Sequence, residues 1–214
     1  ENYIISDLKI EKKQNSSTDN TTKFLLKTSD NNFIECVSMI DGNRHTICIS
    51  SQIGCSVDCD FCATGKMGII RNLDTSEILN QILIIKNNIS ERITNIVFMG
   101  MGEPFLNYNN VINSCKIITD TNAFNLSSKK ITISTSGILP KIKKFINDEE
   151  KYKLAISLNA SNNKVRDILI PINKKWPIEE LIFELKKYKF HKRRTIMFEY
   201  IMLKNINDKI EHAY

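Results

Sequence analysis

The chain of 214 residues contains no apolar run approaching the ~18 residues that a membrane span needs. Nothing at its N-terminus reads as a secretory signal, and no low-complexity segment or internal repeat interrupts it. These absences argue against membrane and secreted classes, so the expectation is a soluble protein in the reducing cytoplasm. Histidine is scarce: three residues, His45, His191 and His212, lie far apart. With Cys36, Cys48 and Cys115 they do not make the paired spacing that a structural zinc site uses. A disulfide framework is also unexpected, because a chain of this length buries a core without covalent staples.

What the chain does have is an uneven charge. Residues 1–128 hold eleven Lys and Arg against fourteen Asp and Glu, whereas residues 129–214 hold nineteen against ten. The basic clusters lie at 141–144, 174–175 and 186–194. Such asymmetry suits a polyanionic partner, although a lysine-rich solvated surface has the same composition.

Residues 11–22 are polar and rich in turn formers, which predicts a loop. Residues 23–27 and 33–40 flank Asp30-Asn-Asn32 and predict a β-hairpin. Beyond it, short β-branched strands at 46–50, 96–99, 130–135, 154–158 and 195–202 alternate with helical patterns at 75–88, 109–119, 139–147, 164–168 and 177–187. That alternation predicts βα units around a parallel sheet, with residues 1–42 as an N-terminal extension and 43–214 as the core. Five units are visible and the barrel they start is not closed.

The chemistry concentrates in Gly54-Cys-Ser-Val-Asp-Cys-Asp-Phe-Cys-Ala-Thr-Gly65. Its C-x3-C-x2-C spacing supplies three thiolates, Cys55, Cys59 and Cys62, whereas a [4Fe–4S] cluster normally takes four. The open iron can chelate a small molecule, as radical S-adenosylmethionine (SAM) enzymes do with the amino and carboxylate groups of SAM. The loop follows the first strand of the βα series. Met99-Gly-Met-Gly-Glu-Pro104, Ser134-Thr-Ser-Gly137 and Ser157-Leu-Asn-Ala160 follow the next three. In βα barrels the C-terminal strand ends gather the chemistry. Each run alone is weak, since Gly-x-Gly-Glu also makes turns and Ser-Thr-Ser-Gly also caps helices.

Together with Cys48-Ile-Ser-Ser-Gln-Ile-Gly-Cys55, Ile170-Pro-Ile-Asn173 and Glu211-His-Ala213, these runs resemble the RlmN/Cfr family of radical SAM RNA methyltransferases. The resemblance runs from about Phe33 to the last residue. It implies an α/β fold, an incomplete (βα)6 partial TIM barrel of the radical SAM type preceded by a β-hairpin, holding a [4Fe–4S] cluster and SAM. It also implies methylation of adenosine carbon 2 in 23S rRNA, and in some members of tRNA, with an electron donor such as flavodoxin or ferredoxin. Pro104 and Ser136 favour carbon 2 over the Cfr-like carbon 8.

Residue by residue, the resemblance makes Cys55, Cys59 and Cys62 the cluster ligands. Gly102 and Glu103 become the pair that receives the SAM ammonium, and Ser134, Ser157, Leu158 and Asn159 further SAM contacts. Asn159 stands where many members carry histidine. Glu35 becomes the acceptor of the ring proton, and Cys48 the thiol that releases a methyl-cysteine adduct through a transient disulfide. On the residues alone, Glu35 is an outward carboxylate on a hairpin strand and Cys48 a small core residue. The N-terminal helical domain and the C-terminal methyl-carrying cysteine of the family have no match here, so the chain is expected to be a fragment. A different radical SAM enzyme, such as an activase, and a non-catalytic iron–sulfur RNA-binding module remain alternatives.

Overall fold

The computed structural model describes residues 8–187 and 196–213. His191, most of the basic run 186–194, and Thr195 at the start of the last expected strand lie outside the described residues.

Eight strands form one open sheet in the order β1-β2-β3-β4-β7-β8-β9-β10. The first four are β1 (Lys9–Asn15), β2 (Asn20–Lys27), β3 (Phe33–Asp41) and β4 (Arg44–Cys48), and they pair antiparallel. From β4 onward the sheet is parallel through β7 (Asn95–Phe98), β8 (Ile131–Thr135), β9 (Lys153–Ser157) and β10 (Ile196–Glu199). The short strands β5 (Gln52–Gly54) and β6 (Ile69–Asn72) make a separate two-stranded ribbon. The helices are α1 (Ala63–Lys66), α2 (Thr75–Asn88), α3 (Tyr108–Thr119), α4 (Leu139–Asn147), α5 (Asn163–Leu169) and α6 (Ile178–Lys186). Among the described residues no helix is long and apolar enough to cross a membrane.

The helices start where local chemistry directs. Asp74 and Glu77 close a capping box on α2, the Asp74 carboxylate accepting from the Glu77 N–H at 2.8 Å and the Glu77 carboxylate from the Asp74 N–H at 3.0 Å. The Asn162 side chain caps α5 by accepting from the Val165 N–H at 3.0 Å. The helices α2, α3 and α4 then each bury one apolar stripe on the sheet: Ile78, Ile82 and Ile85 of α2, Val111 and Ile118 of α3, Ile142 and Phe145 of α4. They meet Ile47, Ile96, Phe98, Ile131, Ile133, Leu154 and Ile156 from the strands. Fully burying such a side chain stabilises by about 1.5–3 kcal/mol, so this layer dominates the folding energy.

Strand alternation sends the other side chains to the opposite, inner face. Register ties Val37 to Cys48, Cys48 to Val97 and Val97 to Thr132, then Ser134 to Ala155 and Ser157 to Glu199. Glu35, Cys48, Ser134, Ser157 and Glu199 therefore share one face of the sheet.

The loop expected at 11–22 is a correction. β1 takes residues 11–15 of it and β2 residues 20–22. Every residue of β1 is exposed at the sheet edge, where its backbone ladder to β2 suits a polar sequence as well as an apolar one. The turn formers are confined to residues 16–19. His45 is a satisfied core residue: its Nδ1–H donates to the Glu91 carbonyl at 2.9 Å, leaving Nε2 to accept from the Ser38 hydroxyl at 2.8 Å. Cys36 and Cys115 are buried on β3 and α3.

Candidate active site

The ribbon β5–β6 clamps the two ends of the cysteine loop. Gly54 pairs with Ile69, and the Cys55 N–H donates to the Gly68 carbonyl at 2.9 Å. Gly54 has φ +75°, and a Cβ there would lie 1.8 Å from the Gly68 oxygen, so only glycine permits this closure. Within the loop, the Cys62 N–H donates to the Cys59 carbonyl at 3.0 Å as the chain turns into α1.

Cys55, Cys59 and Cys62 all line a cavity of about 480 Å³ at the C-terminal ends of the parallel strands. Gly102 and Glu103 line it from the end of β7, Ser134 and Ser136 from β8, Ser157 and Asn159 from β9, and Glu199 from β10. A larger groove of about 890 Å³ near Lys116 and Tyr152 lies at the opposite rim and contains no thiol.

Glu103 is 4% exposed. Its Oε1 accepts from the Phe105 N–H at 3.0 Å and its Oε2 from the Ser136 N–H at 2.7 Å, which ties the end of β7 to that of β8. Burial raises its pKa above the ordinary 4.5, and these hydrogen bonds oppose the rise. The Glu103 N–H in turn donates to Gln52 Oε1 at 2.8 Å. At Gly102, φ is +96° and a Cβ would sit 2.5 Å from the Gln52 side chain, so glycine lets this turn press against the base of the cysteine loop.

Across the cavity, the Ser134 and Ser157 hydroxyls both donate to Glu199 Oε2, at 2.6 and 2.9 Å. Asn159 takes φ +55°, and its Oδ1 accepts from the Ile201 N–H at 2.8 Å.

Burial pushes the Cys55 thiol up to about 11 and the Cys59 thiol up to about 12, and the neighbouring thiols and Glu103 add to the effect. A positively charged metal group would reverse that balance and draw out thiolates. Among the described residues no three His, Cys, Asp or Glu side chains stand close enough to share a single metal ion. The three thiols line one cavity that has no fourth Cys or His among the described residues of its wall, a donor set that fits an iron–sulfur group on three thiolates, whereas a structural zinc takes four protein ligands. The cavity also has room for a small-molecule ligand with polar groups, since Ser136 Oγ is buried in its wall without a hydrogen-bond partner.

The family model of the radical SAM superfamily matches residues 49–214. The chain belongs to that superfamily. Among curated proteins, this radical SAM chain is similar to the probable dual-specificity RNA methyltransferase RlmN of Dictyoglomus turgidum, 48% identical over 197 residues, covering 91% of this chain and 57% of that protein. The protein so named from Pseudothermotoga lettingae is 47% identical over 213 residues, 100% of this chain and 62% of its own length. The dual-specificity RNA methyltransferase RlmN of Vesicomyosocius okutanii is 48% identical over 206 residues, 94% of this chain and 58% of its own. The chain thus spans about six tenths of the length of these relatives. A crystal structure of a radical SAM methyltransferase from Sphaerobacter thermophilus superposes with a TM-score of 0.92 at 37% identity, covering 97% of this chain and 62% of that one. The α/β fold and mainly parallel sheet are those of the superfamily.

Of the residues singled out in the sequence, the strand-tip cavity brings together all three loop cysteines, Gly102, Glu103, Ser134, Ser157 and Asn159. Leu158 is not among its lining residues: its N–H donates to the Glu199 carbonyl at 3.0 Å and its carbonyl accepts from Arg166. Glu35 is set back on the inner face, half-exposed and ion-paired with Lys23 at 2.9 Å. Cys48 lies at the end of β4. Its thiol is pushed up to about 11 by burial, with the Met99 N–H opposing and the Glu199 charge adding. All six cysteines are free thiols, so the disulfide expected at Cys48 is not formed. Burial favours the protonated form of Cys48.

Gln52, Arg166 and Glu199 were missed. Glu199 reaches the site through parallel pairing of β10 with β9, which Phe198-Glu-Tyr200 does not advertise. Gln52 had a signal in its position between the first strand and the cysteines, beside a glycine-rich partner turn.

Proposed function

We propose that this chain is the catalytic core of a radical SAM RNA methyltransferase that methylates carbon 2 of adenosine in 23S rRNA and in tRNA. The observation that carries the reading is the convergence of three free thiols with the Gly102-Glu103 turn and the Ser134–Ser157 pair on one strand-tip cavity. The names of the relatives, dual-specificity RNA methyltransferases, support RNA as substrate and two RNA classes. The excess of Lys and Arg after residue 128 suits that polyanion.

When bound, the [4Fe–4S] cluster and SAM supply the one-electron chemistry that reaches an electron-poor ring carbon. Cys55, Cys59 and Cys62 hold the cluster and leave one iron open. Glu103, a buried carboxylate in the cavity wall, would receive the SAM ammonium beside the Gly102 backbone. Ser134, Ser157 and the free Asn159 amide face the rest of SAM, and Leu158 supports them through its backbone bonds. Glu35, on the same sheet face, takes the ring proton, and the Cys48 thiol releases the product once deprotonated. A flavodoxin or ferredoxin supplies the electron.

Anaerobic reconstitution, iron and sulfide analysis, and an assay for SAM cleavage test the core. In a version extended to the relatives' length, mass spectrometry of 23S rRNA and tRNA should show 2-methyladenosine. A SAM-binding, cluster-loaded protein that methylates carbon 8, or leaves RNA unmodified, would overturn the substrate assignment.

A further inference from the structure

Arg166 is the one fully buried cation in the core of the described residues, at 0% exposure. It sits on α5, whose Val165 and Leu169 pack with Ile170 against Cys55, Val57, Cys59 and Phe61 of the cysteine loop. The Asp60 N–H donates to the Leu169 carbonyl at 3.0 Å, fastening loop to helix. The guanidinium turns from there toward the strand tips. Nε donates to the Leu158 carbonyl at 3.0 Å, Nη2 to the Ser136 and Ser157 carbonyls at 2.6 and 3.1 Å, and Nη1 to Asn173 Oδ1 at 2.9 Å.

Every one of those acceptors is neutral. Among the described residues no carboxylate forms an ion pair with Arg166; Asp167 is spent on the Asn173 amide at 2.6 Å. A buried charge without an anion costs several kcal/mol, more than carbonyl dipoles recover. Burial indeed lowers the Arg166 pKa to about 10, and what raises it, Cys59 first and then Asp167, is negative charge. The carbonyls it holds belong to Ser136 and Ser157, which line the same cavity as Cys55, Cys59 and Cys62, so Arg166 braces the wall that would face thiolate charge on that loop.

We propose that Arg166 is the built-in countercharge of the iron–sulfur cluster, a positioning residue that raises the cluster's reduction potential while its hydrogen bonds lock the ends of β8 and β9 against the cysteine loop. The inference rests on the cluster reading above. A [4Fe–4S]2+ group on three thiolates carries a net negative charge, and adding one electron from an external reductant deepens it. A fixed cation therefore favours the reduced form. Net charge and hydrogen bonding near the cluster are among the factors that set such potentials.

The test is a mediated redox titration of the anaerobically reconstituted protein with dithionite as the one-electron donor, followed by electron paramagnetic resonance. Arg166→Gln should oppose reduction by roughly tenfold, a shift of about 59 mV to more negative potential for a one-electron couple. Arg166→Lys, which keeps the charge with fewer hydrogen bonds, should stay near wild type. A purely structural clamp predicts instead that both variants lose thermal stability and that the potential does not move. Equal potentials for wild type and the glutamine variant would overturn the proposal. If the glutamine variant holds no cluster, Arg166→Lys decides: it keeps the charge, so its cluster content and potential should stay near those of the wild type, and a shift of about 59 mV or more to negative potential would overturn the proposal. Failure of the wild-type chain to take up a [4Fe–4S] cluster is a different result, and it overturns the proposed function itself.

Discussion

Replacing Glu103 with glutamine separates its two roles. The carboxylate accepts one backbone N–H on each oxygen, from Phe105 and from Ser136. A glutamine keeps one acceptor and points an NH2 group at the other N–H, leaving a buried donor unsatisfied. That loss costs about 1–3 kcal/mol, and in a chain of this size about 2–4 °C of Tm per kcal/mol. Glu103→Gln should therefore melt some 2–12 °C lower on those figures, even without ligand. On the proposed reading it also removes the negative charge that receives the SAM ammonium. A charge-assisted contact is worth about 1.5–3 kcal/mol, so SAM should bind roughly tenfold to a hundredfold more weakly. The pH dependence has a definite sign. Because the folded pKa is raised above 4.5, the folded state holds the Glu103 proton more tightly than the unfolded state. The resulting stability is full below about 4.5 and is lost as pH rises through the folded pKa, while affinity for the ammonium grows over the same interval. Differential scanning calorimetry of the apo protein and calorimetric titration of the reconstituted protein with SAM measure the two effects. Unchanged SAM affinity with an intact cluster would refute the ammonium role, and an unchanged Tm would refute the bridging role.

Alanine at Cys55, Cys59 or Cys62 should abolish the cluster and SAM cleavage; a tightly bound zinc with four protein ligands in the wild type would sink the radical reading. Gly54→Ala places a methyl group on the Gly68 carbonyl, so it should open the β5–β6 ribbon and strip iron from the protein. Full iron content in that variant would show that the clamp is dispensable. In the extended version, Glu35→Gln and Cys48→Ala should accumulate covalent protein–RNA adducts on denaturing gels, and free methylated RNA at the wild-type rate from either would reassign that residue.

The helical half of the fold was legible because its signals are local. The range 75–88 for α2 follows from Asp74, Glu77 and an apolar stripe, all within one segment, and it matches the structure residue for residue. The thiols, Glu103 and Ser134 were legible as strand-tip residues, because the βα period alone places them on one rim. Three features were hidden. β1 has no apolar face to betray it, since all of its residues are exposed at the sheet edge. The β5–β6 ribbon rests on a carbonyl passing over Gly54, a contact that no periodicity records. Arg166 follows Val165 in what reads as an ordinary amphipathic turn, and only the packing of α5 under the cysteine loop turns its charge inward.

The ribbon that pins Gly54 to Ile69 makes the cysteine segment a closed ring of about fourteen residues. Bringing the ends of such a ring together costs about 2.3 kcal/mol of chain entropy by the logarithmic closure law. Here that restriction is imposed when the protein folds and not when iron arrives. On the cluster reading, the segment that carries the three sulfurs is thus closed in advance, unlike small zinc modules, which stay unstructured until metal binds. Iron capture then depends chiefly on proton release from buried thiols, so uptake should accelerate with rising pH while the backbone around the site keeps its shape.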